Sequence, residues 1–194
     1  MARNCIVVNV DRCIGCYGCQ MACKMENEVP LGQHWNEVLM VGPFGEYPNM
    51  TRYPLPTMCQ QCENAPCIDV CPTGASYRNE DGVVLVDEAT CIGCQTCMPA
   101  CPYGVRSFNV EANVVQKCTL CTALTEKGEL PACVKSCAAG ARFYGDLDDP
   151  ESDVSKELAK YDEADIHTLQ DDGNHPLTKY IMTSMHGEWA GTGK

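Results

Sequence analysis

CQQCENAPCIDVCPTGASYRNEDGVVLVDEATCIGCQTCMPACP, residues 59–102, decides the fold. It carries two cysteine groups. Cys59, Cys62, Cys67 and Cys71 are spaced C-x2-C-x4-C-x3-C-P; Cys91, Cys94, Cys97 and Cys101 are spaced C-x2-C-x2-C-x3-C-P. Between them, SYRNEDGVVLVD reads as a strand, a turn over Asn79 to Gly82, and a strand over Val83 to Val86. The stretch is therefore motif, hairpin, motif.

Working outward, two further groups flank this stretch. Cys13, Cys16, Cys19 and Cys23 repeat the compact spacing, and Cys118, Cys121, Cys133 and Cys137 form a second expanded group, C-x2-C-x11-C-x3-C. The compact pair also agrees in sequence, CIGCYGCQMAC against CIGCQTCMPAC, and the expanded pair ends alike in CPTGA and CAAGA. Compact and expanded groups alternate, which marks an internal duplication. Motif, hairpin and motif resemble the layout of a bacterial two-cluster ferredoxin. The β-prone run Cys5 to Val10 before the first group and ARFYG (Ala141 to Gly145) after the fourth are expected to pair, so that one unit sits inside the other. The predicted fold is α+β and loop-rich: two dicluster ferredoxin-like units, one inserted in the other. The outer unit is 1–23 plus 103–145, the inserted unit 59–102, and 24–58 a Pro-rich, irregular wrapping linker. Residues 146–194 form a partly helical C-terminal extension. Asp149 is its predicted N-cap with Pro150 in the first turn, and Val154, Leu158 and Tyr161 form one apolar face. Leu177 to Met182 is a candidate strand, and the end from His186 to Lys194 is expected to be mobile.

Three thiolates a few residues apart suit three corners of one iron–sulfur cubane, and the fourth cysteine of such a motif, already on a helix, ligates a neighbouring cluster. Applied here, Cys13, Cys16, Cys19 and Cys137 hold one cluster and Cys23, Cys118, Cys121 and Cys133 the next. Cys59, Cys62, Cys67 and Cys101 hold a third, and Cys71, Cys91, Cys94 and Cys97 a fourth. The expected cofactors are four 4Fe–4S clusters on these sixteen cysteines, with the same thiolates as iron ligands. Structural zinc prefers separated C-x2-C pairs without the nearby third cysteine, and disulfides inside C-x2-C-x2-C are geometrically awkward. A zinc-stapled interaction module is the competing reading from another class.

The rest of the composition fits. Seventeen cysteines against three Phe and two Trp leave little for a conventional core, so disulfides, zinc or iron–sulfur clusters must supply much of the folding energy. The formal net charge is −12, and four clusters at about −2 each would bring it to roughly −20. That argues against nucleic acid and anionic membrane surfaces as partners. No apolar run reaches spanning length, so no direct membrane insertion is expected. The opening MARNCIVVNVDRC is expected to carry no export signal of its own; the chain is then cytoplasmic, or membrane-associated on the extracytoplasmic side by co-export with a partner. Cys5, on an apolar strand, reads as a small buried hydrophobe. Lys24, Arg106, Lys117 and Lys135 lie beside ligand cysteines, where they either raise cluster potentials or are ordinary solvated side chains. His34, His167, His175 and His186 lack ligand spacing. No catalytic residues are evident.

Together with ACKMENEVP (Ala22 to Pro30), GEYPN (Gly45 to Asn49), CPTGASY, KCTLC and GDLDDPES (Gly145 to Ser152), the four groups resemble the iron–sulfur subunit of the dimethyl sulfoxide reductase superfamily of molybdenum or tungsten enzymes, nearest the polysulfide-reductase type. The resemblance covers about residues 5 to 160. It implies a non-catalytic subunit relaying single electrons between a large molybdopterin-guanine-dinucleotide catalytic subunit and a membrane anchor subunit or soluble carrier. The free-standing polyferredoxin is the alternative. Lys24 and Ala138 stand where a ferredoxin has proline.

Overall fold

The computed structural model describes residues 2–191 of the chain. In chain order the elements are β1 (Asn4–Asn9), α1 (Gly18–Glu26), β2 (Asn36–Phe44), β3 (Thr51–Met58), α2 (Pro66–Asp69), β4 (Ser76–Arg78), β5 (Val84–Val86), β6 (Ser107–Asn109), β7 (Val114–Gln116), α3 (Thr122–Thr125), α4 (Ala132–Lys135), β8 (Arg142–Asp146), α5 (Asp153–Leu158), β9 (Ile166–His167) and β10 (Lys179–Ile181). Most are one or two turns or three residues long. Loops that bend round cysteines leave no room for more.

β1 organises the core. Its run of Cys5, Ile6, Val7 and Val8 favours an extended backbone, and all four side chains are fully buried. Side chains alternate between faces. Cys5 and Val7 pack with Val154, Leu177 and Ile181, while Ile6, Val8 and Val10 join Trp35, Tyr53, Leu55, Met58 and Tyr180. β1 pairs antiparallel with β8, Val8 opposite Arg142 and Asn4 opposite Asp146. On its other edge it pairs parallel with β10, giving the order β8-β1-β10-β9. The segments flanking the first and last cysteine groups are thus adjacent, and residues 59–102 lie between them in sequence. The hairpin β4–β5 sets Ser76 opposite Val86; Asn79 Oδ1 accepts from Val83 N at 2.8 Å to close its turn. A matching hairpin, β6–β7, joins the third group to the fourth.

Three expectations are corrected. The linker 24–58 is not irregular throughout, because β2 and β3 form an antiparallel hairpin with Met40 opposite Pro54 and Val38 opposite Pro56. A two-stranded ribbon has free edges, so the prolines forfeit no ladder bond they would otherwise donate, while Tyr53 and Leu55 are fully buried beneath it. Helix α5 starts later than predicted. Its N-cap is Ser152, whose Oγ accepts from Ser155 N at 3.2 Å and donates to Asp146 O at 2.7 Å, tying the helix to the end of β8. Asp149 instead accepts from Glu151 N at 2.9 Å in the preceding turn. The candidate strand Leu177 to Met182 is present as β10, which pairs with β9. Third, the stretch after His186 is not loose up to Gly191. The Trp189 ring stacks on His167 at 4.9 Å and on Tyr53 at 6.1 Å, and its Nε1 donates to Thr168 O at 3.1 Å. Thr192 to Lys194, which the same expectation covered, lie outside the described residues.

Four cysteine-lined cavities as the candidate functional site

Each cysteine group begins with a C-x2-C loop that turns back on itself. The residue before the second cysteine has left-handed backbone in all four: φ is 64° at Gly15, 50° at Gln61, 68° at Gly93 and 56° at Leu120. Glycine is required at position 93, where a Cβ would meet the Asn113 carbonyl oxygen at 2.5 Å. Gln61 and Leu120 hold the same shape against their steric preference. Gln61 is fixed by its side chain, which accepts from Val84 N at 2.8 Å. In three of the groups a short helix then carries cysteines away from the loop. Cys19 and Cys23 sit on α1, Cys67 on α2 and Cys133 on α4.

These loops bring sixteen cysteines together in four cavities. The first is lined by Cys13, Cys16, Cys19 and Cys137. The second is lined by Cys23, Cys118, Cys121 and Cys133. Cys59, Cys62, Cys67 and Cys101 line the third, and Cys71, Cys91, Cys94 and Cys97 the fourth. The seventeenth, Cys5, is fully buried in the β1 core and lines none of them; burial pushes its thiol up to about 12. The end cavities reach the surface, with Cys16 and Cys94 exposed beside Ile14 and Ile92.

Crowded thiols in such cavities resist ionisation while protonated. Burial first, then the neighbouring Cys133 and Cys121, push Cys23 up to about 12. Burial does the same to Cys62 despite a hydrogen bond from Asn174, and Cys118 lies well above the ordinary thiol range. Cys71 goes the other way. Burial opposes its ionisation, but donors outweigh it: Ser76 N donates to its Sγ at 3.4 Å. A metal that takes these sulfurs as thiolates displaces their protons.

Several donors point at the sulfurs. Asn174 Nδ2 lies 3.2 Å from Cys62 Sγ, Ala141 N lies 3.2 Å from Cys137 Sγ, and Asn27 Nδ2 lies 3.8 Å from Cys23 and 3.7 Å from Cys121. Of the four basic residues singled out in the sequence, Arg106 is buried and lines the third cavity, and Lys117 is buried with its Nζ on the carbonyl of Cys118. Lys135 pairs with Glu129 on the surface. Lys24 closes the turn after α1 by donating to the carbonyls of Pro30 and Gln33. A fifth cation, Arg142, carries no signal in the cysteine spacing. It is buried, and it lines both the first and the second cavity. Burial opposes its charge, but the sulfurs of Cys133 and Cys19 outweigh that and strengthen its hold on the proton. The histidines line none of the four cavities. His34 bonds Gln20, His175 bonds Asp171, His186 lies near Asp11, and His167 stacks on Trp189.

The donor set fits an iron–sulfur cluster better than a single ion. Among the described residues no three His, Cys, Asp or Glu side chains converge closely enough to hold one metal ion. Instead, four sulfurs ring each open space. Arg142 Nε and Arg106 Nη2 are buried without a protein acceptor, as donors facing inorganic sulfide would be.

The family described as "4Fe-4S dicluster domain" matches residues 50–147, and "4Fe-4S binding domain" matches residues 10–26. A putative dimethyl sulfoxide reductase iron–sulfur subunit of Halobacterium salinarum is 44% identical, over 93% of this chain and 79% of its own length. The chain belongs to the iron–sulfur subunits of the molybdopterin reductases. A tetrathionate reductase subunit of Salmonella typhimurium is 39% identical over 92% of this chain and 72% of its own. The thiosulfate reductase electron transfer subunit of Salmonella typhi is 38% identical over 91% of each. This iron–sulfur subunit is accordingly non-catalytic, an electron-transfer component with 4Fe–4S clusters. Among its described residues no helix is long and apolar enough to cross a membrane.

Proposed function

We propose that the subunit holds four 4Fe–4S clusters, one per cavity, and relays single electrons along them between a catalytic subunit carrying molybdenum or tungsten on a pterin guanine dinucleotide and a quinol-linked membrane subunit or soluble donor. The observation that carries this reading is that every cavity has four cysteine sulfurs, three from one group and the fourth from the group paired with it. When bound, such clusters supply one-electron carriers whose potentials are set by hydrogen bonds, charge and exposure. The protein does the rest. Cys137, Cys23, Cys101 and Cys71 are the sulfurs lent across a group boundary, so each pair of clusters is locked into one unit. The two units, 1–23 with 103–145 and the inserted 59–102, then meet where Gln61 Nε2 donates to Cys118 O at 3.4 Å. Exposure of Cys16 in the first cavity and Cys94 in the fourth makes those cavities the entry and exit points. The other ligand cysteines are buried or partly buried, which limits contact with water and oxidants.

No side chain at these sites is placed to make or break bonds in a substrate, which the catalytic partner handles. The compartment follows from that partner, by co-export where it carries a signal.

Anaerobic purification of the native complex tests the reading. A large molybdenum- or tungsten-pterin subunit should copurify, and substrate of that subunit should reoxidise the reduced clusters within the turnover time. A subunit that purifies alone and exchanges electrons equally with unrelated enzymes would instead be a free-standing polyferredoxin.

A further inference from the structure

Three cations buried among the described residues each stand between two consecutive cavities. Arg142 is 4% exposed and lines the first and second. Lys117 is 2% exposed. Its Nζ donates to the carbonyl of Cys118 at 2.7 Å, on the wall of the second cavity, and to the carbonyl of Val84, on the wall of the third. Arg106 is 5% exposed and lines the third. It also faces Cys97 of the fourth, and its Nη1 donates at 2.9 Å to Ser76, which lines that fourth cavity.

None of the three pairs with a carboxylate of the described residues. Burying a charge without a counter-charge is costly. The nearest candidates for that counter-charge are the cavities themselves. Resting on the four-cluster reading above, we propose that Arg142, Lys117 and Arg106 are junction cations, each placed to stabilise the extra electron on either of the two clusters it separates.

The sequence has a device that delivers two of them. In CPYGVR and CAAGAR the arginine follows the last cysteine of its group by five positions. Both turns pass through a left-handed glycine, Gly104 at 60° and Gly140 at 56°. The same turn after Cys71, CPTGAS, delivers Ser76, the hydroxyl that receives Arg106. Duplication thus places a guanidinium inside each two-cluster unit. The junction between the units needed a different solution. Lys117 precedes Cys118 where its duplicate, Met58, precedes Cys59, so the cation occurs only on the side facing the other unit. Arg142 touches that Met58, Nη2 to Sδ at 3.9 Å, and donates to Asn36 Oδ1 at 3.1 Å.

A purely structural role would need hydrogen-bond donors, not charge, so the test reads potential. In the anaerobically purified complex, titrated under paramagnetic resonance, Arg142→Met should move the midpoints of the first and second clusters to more negative potential. The expected loss in reducibility is at least about tenfold, about 59 mV for a one-electron couple. Lys117→Met, which installs the residue found at the duplicate position, should move the second and third, and Arg106→Met the third and fourth. Neighbouring variants should therefore share one shifted cluster. Arg142→Lys keeps the charge and should keep the midpoints. If Arg142→Met sheds iron, Arg142→Gln, which retains a donor for Asn36, carries the same expectation. Variants with full iron and unshifted midpoints would overturn the inference and leave the four-cluster reading intact. So would equal shifts in all four clusters. Wild-type protein without iron would overturn that reading itself.

Discussion

Asn174→Ala perturbs one cluster by removing the hydrogen bond its amide makes to a ligand sulfur. Asn174 is 5% exposed, and its Nδ2 donates to Cys62 Sγ at 3.2 Å and to the Tyr103 hydroxyl at 2.6 Å. Tyr103 keeps a partner when the amide is gone, since its own hydroxyl donates to Gln170 O at 2.8 Å. Asp172 N also loses its acceptor, Asn174 Oδ1, at 3.1 Å. The fold should survive at a cost of about 1–3 kcal/mol, two ordinary hydrogen bonds. The cluster feels more. A hydrogen bond to a charged acceptor contributes about 1.5–3 kcal/mol, and reduction raises the cluster charge from about −2 to about −3. If the bond strengthens by roughly a third on reduction, its loss disfavours the reduced form by about 0.5–1 kcal/mol. For a one-electron couple that is a shift of about 20–45 mV to more negative potential. The assay is a potentiometric titration followed by paramagnetic resonance on the intact complex, wild type against variant. One midpoint of four should fall by this amount and the others stay. A rise, or no movement with full iron content, would refute the assignment of this donor to the third cavity.

Cys137→Ala should remove one cluster, leaving about twelve iron per chain of about sixteen. Adding Cys13→Ala should cost no more iron, whereas adding Cys118→Ala should take the count to about eight; the reverse pattern would contradict the crossed pairing. Glu157→Gln should destabilise the chain by about 1–3 kcal/mol, because Glu157 is buried against Asn9, Arg12 and Lys160, and breaking such a pair strands a charge, softened here by exposed partners. Burial alone would raise its pKa, but Lys160, Asn9 and Arg12 prevail and lower it. The stabilisation is therefore complete above the unfolded carboxylate value of about 4.3 and fades only below it. Urea-induced bleaching at pH 5 and pH 8 should show the same difference between wild type and variant. Trp189→Ala removes three ring contacts, each worth about 0.5–1.5 kcal/mol. It should expose residues 184–191 to proteases at a concentration the wild type resists, and unchanged cleavage would show that the ring pins nothing.

The cysteine spacing, being local, is readable without a structure, and the sixteen cysteines it groups line four cavities, three from one group and one from another in each. The pairing of β1 with β8 is readable too, because the ends of a ferredoxin-like unit must meet. What escapes depends on contacts made far along the chain. Pro43, Pro54 and Pro56 conceal the β2–β3 hairpin, since a ribbon with free edges tolerates residues that a wider sheet rejects. Trp189 looks like part of a loose end because its partners, Tyr53, His167 and Tyr180, come from three separate elements. Arg142 begins an ordinary strand, and charged residues seldom lie inside. Only its match to Arg106, five positions beyond the last cysteine of each group, could have marked it. Asn174 sits in a polar loop with no pattern around it, and nothing short of the fold brings it to Cys62.

The most direct measurement is the count of iron and acid-labile sulfide in anaerobically isolated protein. Four sulfur-lined cavities, each completed by a cysteine from the paired group, predict about sixteen of each per chain and brown protein that becomes paramagnetic on reduction. One or a few zinc ions with no sulfide, or iron for only two clusters, would contradict the account.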